Sequence, residues 1–569
     1  MINRSWDLTV DLLVVGAGAA GMTAALVASL EGLDVLLCEK SNMVGGVAST
    51  SAGTVWIPGS RQSAWAGVPD SVEAARTYLN SVIRGNEGVE LREAFLQSGP
   101  AVLDYLEENT DVAFAAATAH PDYLGNRPGA AFGGRALGTL PFDGRSLGDD
   151  FIRVRPPRSE FMAFGGMMVG KADLPLLLKP FGSMRAFLHV ARMVARYMKD
   201  LIRYRRGTRL IMGNALVARL LMSLKRLDVP IRYDAPMREL IAVDGAVVGA
   251  VIADAKGDIR VRARRGVVLA TGGIGWSRHL REEMFPNPVP ALSLASPEIA
   301  GDGIDAACGI GAILDDATES AGLWMPCSVL TKPDGTTSVY PHIVLDRAKP
   351  GLIAVNSAGR RFVNEANSYH DFCVGMLKSN ETVPSVPSFL VCDRRFIHDY
   401  GIGLVLPGTT KLKRFIEAGY LIEAETIAAL AIQLKIDPGE LGQSVGRYNR
   451  HAAAGVDEDF GRGSTDLNRI NGDPANGPNP CLREIGPGPF YAVAVYPADL
   501  ASSAGIATDE NGRVIAQSGG PVPGLYACGN DSVSVFRGTY PGPGATLGPA
   551  LVFGWRVAMH AARHEYGSG

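Results

Sequence analysis

Residues 11–39 constrain the fold of this chain more than any other stretch. An apolar run, Asp11-Leu12-Leu13-Val14-Val15, enters Gly16-Ala17-Gly18-Ala19-Ala20-Gly21 directly. An apolar helical pattern follows from Met22 to Leu30. A second apolar run, Asp34-Val35-Leu36-Leu37-Cys38, ends in Glu39, 18 residues after the last glycine. Strand, tight turn, helix and strand with an acid at that distance predict a parallel βαβ unit that holds a dinucleotide. Gly16 permits the turn, Gly18 lets the main chain approach a pyrophosphate, and Gly21 lets helix and strand pack closely. The helix N-terminus at Ala19 and Ala20 presents main-chain N–H groups to the phosphates. Glu39 can accept hydrogen bonds from both ribose hydroxyls and would repel a 2′-phosphate.

Leu12 to Leu30 is also a run of 19 residues without charge, which a hydropathy window alone reads as a membrane span. The glycines at 16, 18 and 21 argue for a buried strand, turn and helix instead. The start of the chain, MINRSWDLTVD, lacks the pattern of a secretory leader. A length of 569 residues suits roughly two or three domains. A net charge of −3 excludes the basic footprint of a nucleic-acid binder. The seven cysteines are odd in number and form no CxxC pair, which argues against a disulfide framework or zinc site and for a reducing cytoplasm. The nine histidines show no metal-ligand spacing, so no metal is expected.

The stretch after Glu39 reads Lys40-Ser41-Asn42-Met43-Val44-Gly45-Gly46-Val47-Ala48-Ser49-Thr50-Ser51-Ala52-Gly53. It resembles the loop of the fumarate reductase and succinate dehydrogenase flavoprotein superfamily that wraps the ribityl chain and flavin edge of FAD. The resemblance implies cofactor contacts at Lys40, Gly45, Gly46, Ser49, Ser51, Ala52 and Gly53. Val267-Val268-Leu269-Ala270-Thr271-Gly272-Gly273 resembles that superfamily's second FAD strand, with Ala270, Thr271 and Gly272 at the cofactor. Gly524-Leu525-Tyr526-Ala527-Cys528-Gly529-Asn530 resembles the segment that returns to the flavin, through Gly529 and Asn530. Met237, after the helical pattern that Gly213-Asn214 opens, is placed near the adenine. Covalent members of the superfamily attach flavin to a His in the loop around 45–53; none stands here, so the expected FAD is noncovalent. The implied fold is α/β, a discontinuous Rossmann-like FAD-binding domain with an inserted α+β catalytic (capping) domain. Residues 8–328, with an insertion near 160–208, and 495–569 would form the first; 329–494 would form the second. Substrate would lie between them.

The C-terminal signature Gly538-Thr539-Tyr540-Pro541-Gly542-Pro543-Gly544-Ala545-Thr546-Leu547-Gly548-Pro549-Ala550-Leu551 closely resembles the 3-ketosteroid Δ1-dehydrogenase family. So do Ser51-Ala52-Gly53-Thr54-Val55-Trp56-Ile57-Pro58 and Asn364-Glu365-Ala366-Asn367-Ser368-Tyr369. The resemblance implies that the Tyr540 hydroxyl and the Gly544 amide polarise a 3-oxo group, two donors on one oxygen stabilising an enolate. Tyr369 matches the base that takes the α-proton, and Tyr123 the tyrosine hydrogen-bonded to it. The β-carbon then gives a hydride to flavin N5, with Gly544, Ala545 and Leu547 beside the cofactor. An ordinary tyrosine has a pKa near 10, so the site must help Tyr369. His370 is taken as structural, because neighbouring side chains point apart. The reaction implied is 1,2-dehydrogenation of a 3-ketosteroid, with an external electron acceptor.

Three alternatives stand beside it. A 3-oxo-5α-steroid 4-dehydrogenase would use similar groups, although Tyr-x-Gly-x-Gly favours the 1-dehydrogenase. A fumarate-reductase-like enzyme for a small dicarboxylate would need a charged clamp. Arg347 lies near where its Arg would fall, but the His-Gly and Asn-Arg pairs of that C-terminus are absent. A flavoprotein electron-transfer or sensor subunit would not need three placed tyrosines. Finally, residues 185–209 carry Arg185, Arg192, Arg196, Lys199, Arg203, Arg205, Arg206 and Arg209 among apolar residues at helical spacing. Such a basic amphipathic helix can lie on an anionic membrane, and it can equally be a packed helix with a solvated basic face or an arm at a subunit contact.

Overall fold

Alternation within the first apolar run builds two layers at once. Leu12 and Val14 point into one core with helix Ala19–Leu30, whereas Leu13 and Val15 point into a second core with Val247, Ala250 and Ile252. A strand buried on both faces reads as a continuous apolar run, and this is how 12–15, 35–38 and 267–269 read. In this computed structural model, which describes residues 5–170, 173–288, 292–343 and 346–564, the strands form one large sheet. Its order is Ile231–Arg232, Val35–Cys38, Leu8–Val15, Ile259–Leu269, Ala246–Ile252, Met237–Val243. The first four are mutually parallel. Ile259–Leu269 divides its pairing. Residues 259–262 pair antiparallel with Ala246–Ile252, and Val267, Val268 and Leu269 pair parallel with Leu525, Tyr526 and Ala527 near the C-terminus. Leu12 to Leu30 is therefore strand, turn and helix, as its glycines predict, and no described helix is long and apolar enough to cross a membrane.

The last helix, Leu547–Arg563, packs across helix Ala19–Leu30. The two approach at Gly554, where a Cβ atom would sit 2.7 Å from the Ala20 carbonyl oxygen and 3.1 Å from the Thr23 Cβ. A second, antiparallel sheet has the order Thr337–Pro341, Gly322–Thr331, Phe490–Ser502, Ser388–Asp393, Leu352–Val355, with Ile422–Ala424 also on Phe490–Ser502. Leu323, Met325 and Cys327 of one long strand pack into the first core while Trp324 packs into the second, so this sheet is anchored to both. Its far end is closed by Ile353, Val355 and Val391 against helices Ile427–Leu434 and Pro438–Ala454.

The basic segment forms helix Met184–Tyr204, capped by Ser183, whose Oγ accepts from the Ala186 N–H at 3.1 Å. It buries only Ala186, Tyr197 and Asp200. The chain reverses at Arg205 (φ +59°), short of the expected helix end at 209. The reversal turns two of the cations inward. Arg206 donates to the Phe151 and Val154 carbonyls and Arg209 pairs with Asp173, while Arg196 pairs with Asp143. Arg185, Arg192, Lys199, Arg203 and Arg205 remain exposed, beside Phe181, Met184, Phe187, Leu188, Met198 and Ile202.

The Gly554 crossing is testable by size. Gly554→Val is expected to destabilise the protein by about 1–3 kcal/mol through overpacking, read as a lower midpoint in thermal denaturation. An unchanged midpoint would show that the helices do not meet there.

Candidate active site

Three strand ends meet at one edge of the large sheet. The Gly16 N–H donates to the Cys38 carbonyl (2.8 Å), the Ala270 N–H to the Val15 carbonyl (2.9 Å), and the Cys528 N–H to the Leu269 carbonyl (3.0 Å). The turns that follow, at 16–18, 270–273 and 529–531, are thereby brought side by side. Gly16 adopts φ +105°, a left-handed conformation that glycine allows. Helix Ala19–Leu30 begins at Gly18 with no side-chain cap, so its first N–H groups at Ala19, Ala20 and Gly21 are open to an anion. A Cβ on Gly18 would meet nothing within 4 Å, and one on Gly46 would meet only the Gly18 Cα, at 3.9 Å. That cradle fits a pyrophosphate.

The other residues expected at the cofactor are tied to the same edge by the contacts that follow. The Glu39 carboxylate accepts from the Ala17 N–H through Oε2 and from the Ser41 N–H and hydroxyl through Oε1, each at 2.9 Å. The Ala235 N–H donates to the Glu39 carbonyl, which sets Met237 two residues beyond the segment lying along Glu39. Lys40 pairs with Asp302 at 2.7 Å. The Gly45 N–H donates to the Ala17 carbonyl (2.7 Å), tying the 45–53 loop to the first turn. Within that loop Ser51 Oγ accepts from the Gly53 N–H at 3.0 Å across Ala52. Gly529, Asn530 and Ala545 line one cavity, together with Ser502, Thr546 and Ala550. Leu547 opens the last helix beside it, again without a side-chain cap.

Two supporting residues escape a reading of the sequence. Asn214, at the start of helix Met212–Arg226, is fully buried and donates to the Ser49 carbonyl at 2.7 Å. Its Oδ1 and the Ser49 Oγ are buried with no partner among the described residues, which suits a polar ligand against the loop. Asp531, fully buried, accepts from the Thr271 N–H and hydroxyl and from the Gly273 N–H (2.8 Å), with Gly272 adding to the set. Burial still holds its carboxyl above the usual range. The Gly213-Asn214 helix start and the neighbour of Asn530 were the available signals, but neither residue type shows its partner.

The three tyrosines come together although 417 positions separate Tyr123 from Tyr540 (540 less 123). Tyr123 Oη donates to Tyr369 Oη at 3.2 Å. The Tyr123 and Tyr540 rings stack at 5.6 Å, and Tyr369 meets both edge-on at 5.6 and 5.3 Å. The Pro541 carbonyl fixes the stack, accepting from the Tyr123 N–H (2.9 Å) and the Tyr78 hydroxyl (2.7 Å). Behind Tyr123, Asp122 accepts from Trp56 Nε1 (2.8 Å), the Ala131 N–H (3.0 Å) and Arg135 (2.5 Å), and Arg135 also bonds Asp70. Tyr369 opens helix Tyr369–Asn380, and Ser368 caps it by accepting from the Asp371 N–H. His370 accepts from the Trp324 N–H through Nδ1 (3.2 Å), pinning this helix to strand Gly322–Thr331; burial brings its pKa down to about 4, so it is neutral.

Gly544 completes the group. Its φ is +96°, and a Cβ there would lie 2.6 Å from the Thr54 carbonyl oxygen and the Trp56 nitrogen. Its carbonyl accepts from the Trp56 and Gly548 amides, while its own N–H has no partner among the described residues. All three phenols are pushed above their ordinary range by burial. Phenols kept so are strong bases in the fraction that ionises and good donors in the rest. The lining of the cavity at Gly529, Asn530 and Ala545 carries no charged side chain. One group of possible metal ligands, His451, Asp457 and Asp459, lies elsewhere among the described residues; Arg361 and Arg447 pair with its carboxylates.

Comparison with known proteins places the chain in a family. Residues 11–547 match the FAD binding domain family. A 4-oxocyclohex-2-ene-1-carboxylate 5-dehydrogenase of Sinomonas cyclohexanicum is 38% identical, covering 99% of this chain and 95% of the relative. A 3-oxosteroid 1-dehydrogenase of Mycobacterium tuberculosis is 35% identical, covering 97% of this chain and 98% of the relative. The crystal structure of the 3-ketosteroid Δ1-dehydrogenase from Sterolibacterium denitrificans, in complex with 1,4-androstadiene-3,17-dione, superposes with a TM-score of 0.89 at 34% identity, covering 98% of this chain and 99% of that one. The fold is thus α/β, with a Rossmann-like FAD-binding domain and a capping domain. With matches of that extent and a fold that gathers the strand-end turns on one edge, the chain belongs to the 3-ketosteroid Δ1-dehydrogenase family of FAD-binding flavoproteins.

Proposed function

We propose that this protein desaturates a six-membered ring ketone beside its carbonyl, with a 3-ketosteroid as substrate and a 1,2-double bond as product. The observation that carries the reading is the hydrogen-bonded Tyr123–Tyr369 pair stacked with Tyr540 beside Gly544. The Tyr540 hydroxyl and the Gly544 N–H donate to the ketone oxygen, stabilising the enolate that forms when the α-carbon loses its proton. Tyr369 takes that proton, and Tyr123 donates to Tyr369 to support the charge it carries as a phenolate. FAD, when bound, supplies the acceptor for the β-hydrogen and its electron pair at N5. The α-hydrogen leaves as a proton and its bonding pair stays to form the C=C bond, while the β-hydrogen leaves with its pair as a hydride. An external acceptor then takes the two electrons.

Residues 8–328 and 495–569 would hold the FAD through noncovalent contacts at the residues described above, and 329–494 would cap the substrate. Acid precipitation of the yellow protein is expected to leave the flavin in the supernatant; colour retained in the pellet would show a covalent bond.

The 38% identical Sinomonas enzyme favours a second reading, a small ring ketone bearing a carboxylate. The same tyrosines would serve it; Arg347 lines the pocket of Tyr123 and Tyr369, but its guanidinium is engaged by main-chain carbonyls, which favours the uncharged steroid. A dicarboxylate clamp has less support, because the Arg347 guanidinium is taken up by main-chain carbonyls. Anaerobic mixing with 4-androstene-3,17-dione is expected to bleach the flavin and yield the 1,4-diene by mass and NMR. Tyr540→Phe and Tyr369→Phe are each expected to slow bleaching by about 10²-fold or more. Bleaching by 4-oxocyclohex-2-ene-1-carboxylate alone would select the second reading, and by neither would sink both.

The exposed face of helix Met184–Tyr204 supports a cytoplasmic enzyme that docks on an anionic membrane. Phe181 and Ile202 are 85% and 88% exposed, and five exposed cations surround them. Apolar groups of this exposure beside cations suit the headgroup boundary, where a lipophilic substrate would be drawn. Cosedimentation with phosphatidylserine liposomes at low salt is expected, with loss in an Arg185→Glu, Arg192→Glu, Lys199→Glu variant. No binding by the wild type would reject the contact.

A further inference from the structure

Arg347 is buried, yet its guanidinium meets no carboxylate among the described residues. Nε donates to the His342 carbonyl (2.8 Å), Nη1 to the carbonyls of Glu365 (2.8 Å) and Asn367 (3.3 Å), and Nη2 to that of Ile343 (3.1 Å). It lies over the Phe372 ring at 4.7 Å. Carbonyl dipoles satisfy the donors but leave the unit charge in place. The carboxylates nearby are occupied. Asp346 takes His342 Nδ1 (2.5 Å) and the Gly403 N–H, and Glu365 takes Arg361 and Arg462. Two of the four carbonyls belong to the loop that delivers Tyr369, and Arg347, Tyr123, Ser368 and Tyr369 line one cavity. A fixed positive charge therefore faces the tyrosine pair.

We infer that Arg347 is a positioning residue for the Tyr369 base: its charge makes the Tyr123 hydroxyl a stronger donor to Tyr369, and the Asp371 carboxylate, from the same helix as Tyr369, opposes it. The inference rests on Tyr369 acting as the base. Arg347 favours the ionised form of Tyr123 and Asp371 disfavours it. The more acidic a donor, the better it supports a neighbouring phenolate. Asp371 accepts from the Ser368 hydroxyl at 2.7 Å and is pushed up to about 6 by burial, so it carries its opposing charge at neutral pH and above. The other titratable groups around the pair include Tyr540 and Tyr78, the Asp122–Arg135 ion pair, Glu365 held between Arg361 and Arg462, neutral His370, and Cys373, which burial keeps as a thiol. Two opposed charges thus set the strength of the base, Arg347 from the lining it shares with the tyrosine pair and Asp371 from the helix that Tyr369 opens.

The test uses the FAD-loaded enzyme in anaerobic stopped flow, with whichever of 4-androstene-3,17-dione and 4-oxocyclohex-2-ene-1-carboxylate bleaches its flavin. A base must be ionised, so the rate of flavin reduction rises with pH through the pair's apparent pKa. Arg347→Met is expected to move this rising limb to higher pH by roughly one unit, the scale of one unit charge at this range. Arg347→Lys should restore it toward wild type, and Asp371→Asn should move it to lower pH. A purely structural role lowers the rate without moving the limb, and an unmoved limb in Arg347→Met, or a limb unmoved or raised in Asp371→Asn, overturns the inference. If Arg347→Met fails to keep its flavin, Asp371→Asn decides alone. Tyr369→Phe is run in parallel: wild-type rates there would dismiss Tyr369 as the base, whereas an inactive Tyr369→Phe with unmoved limbs elsewhere dismisses only Arg347.

Discussion

Three main-chain hydrogen bonds, from Gly16 to Cys38, Ala270 to Val15 and Cys528 to Leu269, hold the rest of the molecule in register. Each closes the end of a parallel strand at the same edge of the sheet. Parallel pairing requires long crossovers, so the three turns at that edge come from positions near 16, 271 and 529. Everything inserted between them can vary in size without disturbing the edge. Asp531 then locks two of the turns together by accepting from Thr271 and Gly273 while fully buried. A buried carboxylate is tolerated only where amides and hydroxyls solvate it in place of water, and that requirement makes the geometry specific.

The tyrosine cluster uses the same economy of main-chain groups. One carbonyl, that of Pro541, accepts from both Tyr123 and Tyr78 and so sets the distance between segments more than 400 residues apart. The Asp122–Arg135–Asp70 network behind it is almost wholly buried. Such networks contribute little net stability, because desolvation offsets the attraction, but losing one partner strands a charge. Their visible effect here is positional: Tyr123 cannot turn away from Tyr369 without disturbing Asp122 next to it in the chain.

Electrostatics divides the site into two regions. The cavity beside Gly529 and Ala545 is lined without charge, so dipoles and hydroxyls alone meet a ligand there. Charge stands instead at the second cavity, where Arg347 lines the same walls as Tyr123 and Tyr369 with its guanidinium engaged by main-chain carbonyls. Low polarity around the phenols raises their pKa values, and a fixed charge there is screened less than it would be in water.

The sequence by itself determined the βαβ unit and the place of Glu39, which depend on residues within thirty positions of one another and on conformations that glycine permits, although strand and helix begin at Leu8 and Ala19 rather than at Asp11 and Met22. Resemblance extended this to the family and to Tyr123, Tyr369, Tyr540 and Gly544, whose motifs are local even though their contacts are not. Helical periodicity likewise marked 185–209 as amphipathic. Only the tertiary structure decided that Arg206 and Arg209 turn inward, since a reversal at Arg205 has no periodic signature. It alone revealed Asn214, Asp531 and Arg347 as supports, since each is an ordinary polar residue until a distant chain segment supplies its partner. The physical reason is one of range: backbone preference and hydrophobic period act between near neighbours in the chain, whereas burial of a charge and satisfaction of its hydrogen bonds depend on whatever the fold brings to it.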